Sequence, residues 1–489
     1  MSQTKIDESI AKEAGFSTAH RPLFVDLDGT LVKSDTLVDS VLLLTRKHPR
    51  LLLKFPEWLI HGKATFKANI TNSVSLDVAH LPYNRALLGY LQQQHLQGRQ
   101  LHLATGADAN LARRIADHLG IFDRVHASDG ATNLTGHNKL KALHNHLPSG
   151  DFAYIGNAAP DLPVLLAAAE PMVANPDAAL RRLLRKNHIT PHSRFEDRVS
   201  PLKSFVKAIR IHQWAKNLLL FVPMLLGHVI RSTSLLRAGL AFLCFSLCAS
   251  ATYIVNDLLD LDADRRHPKK RHRAFASGNL SPIAGVAIVG AFLLIGFAGG
   301  WWLSTRFLGW LIAYFVTTLA YSLVLKRVVL LDVVLLSGLY TMRLLAGAAV
   351  THTAITPWLA GFSLFLFLSL AMVKRFSELQ NLRAAGHVPD NGRGYVVMDI
   401  EQIRSFGTAS AYASVVVFTL YISSHDVAGL YTHPVRMWLM TPLLVLWVSR
   451  FWLLASRGEL DEDPVVFALT DRTSLLIGAG MIAIALLSL

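Results

Sequence analysis

Two carboxylates at i and i+2, Asp26 and Asp28, stand in Phe24-Val25-Asp26-Leu27-Asp28-Gly29-Thr30, where an apolar strand runs out into a glycine turn. Ligands of open parallel sheets bind at such carboxyl ends. Paired acids there can hold one Mg²⁺ while the first attacks phosphorus and the second protonates the leaving oxygen. A second acidic set lies far downstream. Asn256, Asp260 and Asp264, each four residues from the next, share one helical stripe, whereas Asp257 and Asp262 are expected to point elsewhere. A stripe of oxygen ligands at a helix end suits Mg²⁺ bridged to a diphosphate. Lys269, Arg271 and Arg273 follow with the Ser277-Gly278 turn, cations suited to the remaining phosphate charge. Membrane topology alone also places basic residues in such a loop, but it gives no reason for acids at a membrane edge.

These residues need two kinds of scaffold. The chain has 489 residues, a net charge of +14 and a mean hydropathy of +0.36, too apolar for a soluble enzyme and too polar for a pure membrane bundle. Two unlike halves explain the average. Residues 1–190 alternate strand-like runs at Leu23 to Leu27, Gln100 to Ala104, Phe152 to Ile155 and Met172 to Ala174 with helical periodicity, as a parallel α/β sheet does. A helical region at about 37–98, broken by Pro49 and Pro56 and charged at Lys54 and Glu57, reads as a cap inserted in the sheet. Residues 191–210 read as a linker, and 211–489 as an all-α membrane domain of nine transmembrane helices. The expected spans are 214–230, 234–255, 284–303, 307–325, 328–350, 355–373, 405–423, 435–455 and 473–488.

Loops after the even-numbered spans carry Arg265, Arg266, Lys269, Lys270, Arg271 and Arg273, then Lys326 and Arg327, then Lys374, Arg375, Arg383 and Arg393. The positive-inside rule puts them in the cytoplasm, with the amino-terminal half beside them and the carboxyl terminus outside. A multi-pass protein of the plasma or inner membrane follows, and ordinary topology accounts for most of the positive excess. With no basic stripe interleaved with aromatics, nucleic acid is not an expected partner. Two cysteines, Cys244 and Cys248, exclude a disulfide scaffold and read as small residues at a helix contact. The polar stretch from Met1 to Arg21 is no cleavable signal. The histidines show no metal-ligand spacing, and Trp301 and Trp302 read as interfacial anchors.

After Asp26 and Asp28 come Thr105 at a strand end, Lys139, and Gly156-Asn157-Ala158-Ala159-Pro160-Asp161 after another strand. This set, in this order, resembles the haloacid dehalogenase (HAD) phosphatase superfamily over about residues 20–185. The resemblance implies a Rossmann-type domain in which Asp26 is the nucleophile and Asp28 the acid/base, both at the metal. Thr105 and Lys139 hold the transferring phosphate, and Asn157 and Asp161 support the magnesium. Asn157 departs from the aspartate of many members and removes one negative charge from the metal site.

The Asn-x-x-x-Asp-x-x-x-Asp stripe resembles the signature of the UbiA superfamily of intramembrane prenyltransferases, over roughly 205–489. That implies helices around a cavity open toward lipid. Within that superfamily, His212-Gln213-Trp214-Ala215-Lys216-Asn217, Met342-Arg343-Leu344-Leu345-Ala346-Gly347 and Lys374-Arg375-Phe376-Ser377-Glu378-Leu379 look like the decaprenyl-phosphate phosphoribosyltransferase branch. Aromatic prenyltransferases of the superfamily carry a second aspartate-rich motif where this chain has Lys374 and Arg375, with Glu378 as the one acid. Cations there suit two substrates that both bring phosphate, phosphoribosyl diphosphate and a polyprenyl phosphate. Arg343, costing about 3 kcal/mol at a span centre, is expected to face the cavity and bind an anion, the alternative being a structural pair with Asp332. Lys216 and Asn217 join it as substrate-binding residues, and Tyr321, Lys326 and Asp332 fit the branch's pattern. The expected activity is Mg²⁺-dependent transfer of 5-phosphoribose to a polyprenyl phosphate, with the HAD-like domain acting on the product. Two alternatives are prenyl transfer from a polyprenyl diphosphate to an aromatic acceptor, and a non-enzymatic membrane scaffold with decayed sites.

Overall fold

Short runs of β-branched and aromatic residues, apolar on both faces, build the amino-terminal sheet as a parallel sheet requires. The computed structural model describes residues 21–489 except 130–132, 148–149, 385–393, 426–428, 430 and 461–463; the expected loop cation Arg393 lies outside the described residues. The chain divides into two units, Met1–Ala208 with Ile254–Ala287, and Ile209–Tyr253 with Ile288–Leu489.

In the first unit the strands are β1 (Leu23–Val25), β2 (Leu101–Asp108), β3 (Arg124–Ser128), β4 (Ala153–Gly156), β5 (Glu170–Ala174) and β6 (Arg194–Phe195). They lie in the order β3-β2-β1-β4-β5-β6, every pair parallel. Two of these strands, β3 and β6, were not expected from the sequence. Leu23, Val25, Leu101, Leu103 and Ile155 face one side, packed with Leu87 and Leu91 of the Arg85–Leu96 helix and Leu111 and Ile115 of the Ala109–Leu119 helix. Phe24, Phe152 and Tyr154 face the other, against Leu143 of the His137–His146 helix and Leu165 and Leu180. The region 37–98, expected as a cap, thus includes a crossover helix that covers the sheet. The strand order reverses between β1 and β4, and the crevice beyond their carboxyl ends is where such sheets bind ligands.

The second unit is helical. The described residues contain seven helices long and apolar enough to cross a membrane: Ser232–Leu259, Pro282–Leu303, Thr305–Leu323, Leu331–Thr351, Pro357–Ala384, Val397–Ile422 and Pro434–Ser456. Pro464–Thr470 and Arg472–Ser488, bent by 74°, make an eighth if taken as one span. The described residues thus show seven or eight of the expected nine. The expected first span is a 3-10 segment, Ile211–Phe221, followed by the five-residue helix Val222–Leu226. Apolar length alone does not make a span: Lys216 and Asn217 turn inward and are buried there, and Pro223 opens a new helix. Cys244 and Cys248 are buried thiols, and a Cβ at Gly299 would come within 2.6 Å of Cys244 Sγ, so small residues set this helix contact as expected.

Candidate functional site

The site of the α/β half grows out of the turn after β1. Gly29 has φ +76°, and a Cβ there would lie 2.1 Å from Asn157 Nδ2, so only glycine lets the loop after β4 close on the loop after β1. Thr30 Oγ1 then bridges Asp26 Oδ2 (3.1 Å) and Asn157 Oδ1 (3.2 Å). From the His137–His146 helix, Lys139 Nζ reaches Asp26 Oδ1 at 2.8 Å and Asp161 Oδ1 at 3.1 Å. All three side chains are buried. Asp28 Oδ1 accepts from Thr36 N at 2.8 Å, and a narrow pocket of about 60 Å³ opens beside it, lined by Asp35, Lys67, Thr71 and Asp108.

Burial pushes the Asp26 carboxyl up against the opposing charge of Lys139, and burial together with the charge of Asp35 pushes Asp28 up. Burial acts to lower Lys139, but Asp26 and Asp161 hold its ammonium above the ordinary range. Asp161 is held low: Lys139, the Tyr154 hydroxyl and the Asn157 and Ala158 amides outweigh its burial. Both Asp161 oxygens are engaged by those groups, so this residue fixes Lys139 and the turn. Thr105 is fully buried at the end of the β2 core, its Oγ1 accepting from Ala107 N at 3.0 Å, which leaves its proton to donate. The oxygen donors gathered at this turn, from Asp26, Asp28 and Asn157, fit a hard divalent cation. Lys67, which the sequence reading did not single out, donates to Gly106 O at 2.6 Å and Asn133 Oδ1 at 2.9 Å.

The acidic stripe belongs to the same unit. The Ser232–Leu259 helix breaks at Asp260 and resumes as Leu261–Arg266, yet the i to i+4 bonds continue, Asp260 N to Asn256 O at 2.9 Å and Asp264 N to Asp260 O at 2.8 Å. Asn256, Asp260 and Asp264 therefore stay in line. Arg273 on the returning loop donates to both Asp264 (2.7 Å) and Asp257 (3.1 Å), so Asp257 joins the set it was expected to leave. Burial raises the Asp264 carboxyl while Arg273 opposes it. Lys269 and Arg271 are exposed and Arg273 half-buried. Asp260 is paired with Arg46 of the Thr36–Lys47 helix. Neighbouring Arg265 is buried against Asp39 at 2.8 Å and Ser34 Oγ at 3.1 Å. Arg46, Asp39 and Arg265 carried no motif that could have announced these contacts. Three carboxylates and an amide within two turns, already matched by cationic guanidinium groups, have the charge and hard donors that a divalent ion takes.

In the second unit Arg343 lies 5% exposed on the Leu331–Thr351 helix. It donates to Asn217 Oδ1 (2.9 Å), Leu339 O (2.6 Å) and the Tyr314 hydroxyl (3.0 Å), under the rings of Tyr314, Tyr340 and Phe245 at 4.8–5.5 Å. None of these partners is a carboxylate. The alternative of a pair with Asp332 is corrected: Asp332 stands eleven residues earlier on the same helix, about 16 Å away at 1.5 Å per residue. It binds Arg375 at 2.6 Å and the Tyr395 hydroxyl. Arg375 is buried, with Tyr321 OH at 3.0 Å and Glu378 also on its guanidinium, so its charge is already balanced, whereas Lys374 beside it and Lys326 are half-buried. Lys216 is buried 5.8 Å over the Tyr340 ring, close to the aromatic cage of Arg343. A Cβ at Gly347 would come within 2.2 Å of Leu220 O, so the glycine of the Met342 to Gly347 motif lets the Lys216-Asn217 segment approach its helix.

An apolar multi-span half whose buried arginine meets no carboxylate among the described residues, in one chain with an α/β half that has acids at its strand switch point, describes an integral membrane protein. The family model described as UbiA prenyltransferase family matches residues 220–476. An uncharacterised protein of Sinorhizobium fredii, y4nM, is 38% identical over 463 residues, 94% of this chain and 89% of its own. Nodulation protein NoeC of Azorhizobium caulinodans is 35% identical over 286 residues, 58% of this chain and 92% of its own. Decaprenyl-phosphate phosphoribosyltransferase of Mycobacterium tuberculosis is 29% identical over 289 residues, 57% of this chain and 91% of its own. The chain belongs to the UbiA prenyltransferase family, and its amino-terminal α/β half fits a HAD-like domain.

Proposed function

We propose that the membrane half transfers 5-phosphoribose from phosphoribosyl diphosphate to a polyprenyl phosphate, and that the α/β half removes the 5-phosphate from the product. The observation that carries the first part is Arg343: a guanidinium buried in a span, whose hydrogen-bond partners among the described residues are all neutral, has charge left to meet an anion. The likeness to decaprenyl-phosphate phosphoribosyltransferase supports the same reading. In the transfer, an oxygen of the lipid phosphate bonds to the anomeric carbon as the bond from that carbon to the diphosphate breaks, through an oxocarbenium-like state. Arg343, Lys216 and Lys374 bind phosphate oxygens, and Arg375, fixed by Asp332, positions its helix. Asn256, Asp260 and Asp264, and in the α/β half Asp26, Asp28 and Asn157, would hold Mg²⁺, which would supply charge neutralisation. Arg273 serves the same charge balance.

In the α/β half, Asp26 attacks the 5-phosphorus and Asp28, its carboxyl raised, gives its proton to the departing sugar oxygen. Asp28 then takes a proton from the water that hydrolyses the aspartyl phosphate. Lys139 and Thr105 hold the phosphate oxygens through both steps. The positive-inside rule supports a cytoplasmic position for both sites, at the plasma or inner membrane. Two variants separate the halves. Asp260→Ala stops incorporation of labelled phosphoribose into lipid, and Asp26→Asn leaves incorporation intact but keeps the 5-phosphate on the lipid. Phosphate loss undiminished by Asp26→Asn removes the second step from the proposal; turnover undiminished by Asp260→Ala removes the first.

A further inference from the structure

Three histidines remote in sequence converge on the sheet face opposite the Arg85–Leu96 and Ala109–Leu119 helices. His102 stands on β2, His126 on β3, and His146 ends the His137–His146 helix. Each offers a ring nitrogen, and these nitrogens lie within 4.8 Å of one another. The rings are mutually tilted by 51–68°, so the cluster is not a stack; one ring, His102, stacks instead on Phe24 at 4.8 Å. His102 Nδ1 and His126 Nε2 are buried and have no hydrogen-bond partner among the described residues. An unsatisfied buried polar atom destabilises the fold, and two in one cluster are a cost that a ligand would remove.

We propose that His102, His126 and His146 form a binding site for a transition-metal ion of the Zn²⁺ class, distinct from the oxygen-donor sites described above. Three imidazoles without a carboxylate select a borderline ion over Mg²⁺. Burial and the neighbouring imidazoles lower the pKa of His102, and burial lowers that of His126, which favours the neutral form that binds metal. Tetrahedral coordination at about 2.0–2.1 Å needs nitrogens roughly 3.3 Å apart. Side-chain rotation supplies that contraction at His146, which is half-buried at a helix end. The ion ties two strands to the helix that carries Lys139, seven residues or about 10 Å from His146 along the axis. Its role is to position the helix that presents Lys139 to Asp26.

The test uses the full-length protein in detergent, without a polyhistidine tag, stripped with chelator and returned to Zn²⁺ or Co²⁺. The expected result is Zn²⁺ retained through gel filtration and, with Co²⁺, the visible absorption of a four-coordinate nitrogen site. His126→Gln and His146→Gln each weaken binding by roughly 100-fold or more, since loss of even a partner behind a ligand costs about 10- to 100-fold, and abolish the band, whereas Asp260→Ala leaves the band unchanged. Absence of the Co²⁺ band in the unaltered protein overturns the proposal whether or not the variants fold. Equal Zn²⁺ affinity in a folded His126→Gln/His146→Gln protein overturns it as well.

Discussion

Replacing Arg343 by methionine separates a substrate-binding arginine from a structural one. The change removes three hydrogen bonds, to Asn217, Leu339 O and Tyr314, but strands no carboxylate. Asn217 keeps its bond to Ser246 at 2.9 Å, and methionine fills the stem's volume among Phe245, Tyr314 and Tyr340. The stability loss is therefore about 1–3 kcal/mol, the cost of lost neutral pairings. The functional loss is separate. A hydrogen bond between guanidinium and phosphate contributes about 1.5–3 kcal/mol, which at 1.36 kcal/mol per decade is roughly a 10- to 150-fold fall in kcat/KM for the phosphorylated substrate it holds. Arg343→Lys keeps charge but loses the fork and falls between the two. Kinetics with labelled phosphoribosyl diphosphate, varying the lipid phosphate and the donor in turn, show which substrate carries the loss; thermal unfolding in detergent gives the stability. Unchanged kcat/KM for both substrates in a folded Arg343→Met protein would mean that Arg343 holds neither phosphate.

Arg375→Met has the opposite profile: it leaves Asp332 buried without its guanidinium, which costs about 3–5 kcal/mol, and thermal unfolding shows a larger drop than for Arg343→Met. Gly29→Ala places a Cβ at φ +76° and 2.1 Å from Asn157 Nδ2; release of 5-phosphate falls while phosphoribose incorporation into lipid stays unchanged. In metal-free protein His102, lowered to about 4 by burial and then by His126 and His146 with Arg124, against the pull of Asp123, stays neutral when the unfolded chain takes up a proton near pH 6.5. Its contribution is full above that pH and is lost as pH falls toward about 4, by up to about 3 kcal/mol. Unfolding midpoints of His102→Phe compared with the parent across this window give the difference.

Much of the α/β half was legible because its strands end in turns with chemistry, as at Asp26 and Gly156, and apolar runs flanked by glycine mark buried strands. Strand β3 was missed because Arg124-Val125-His126-Ala127-Ser128 carries little apolar signal; its pairing with β2 decides its conformation. The stripe of Asn256, Asp260 and Asp264 followed from helical period alone. Asp257 did not, because its link to Asp264 runs through Arg273 on a loop that returns from outside the helix. The three histidines were invisible for the same reason: their spacings of 24 and 20 residues match no local ligand pattern, and only the sheet register and a helix end bring them together. Apolar length predicted most spans but failed at 214–230, where a buried lysine, a buried asparagine and a proline divide the run.

The most direct test offers the purified protein two donor and acceptor pairs under the same conditions with Mg²⁺: labelled phosphoribosyl diphosphate with polyprenyl phosphate, and geranyl diphosphate with an aromatic acid. The expected result is label in the lipid fraction from the first pair and no prenylated aromatic from the second. A prenylated aromatic product, with no label transferred from phosphoribosyl diphosphate, contradicts it.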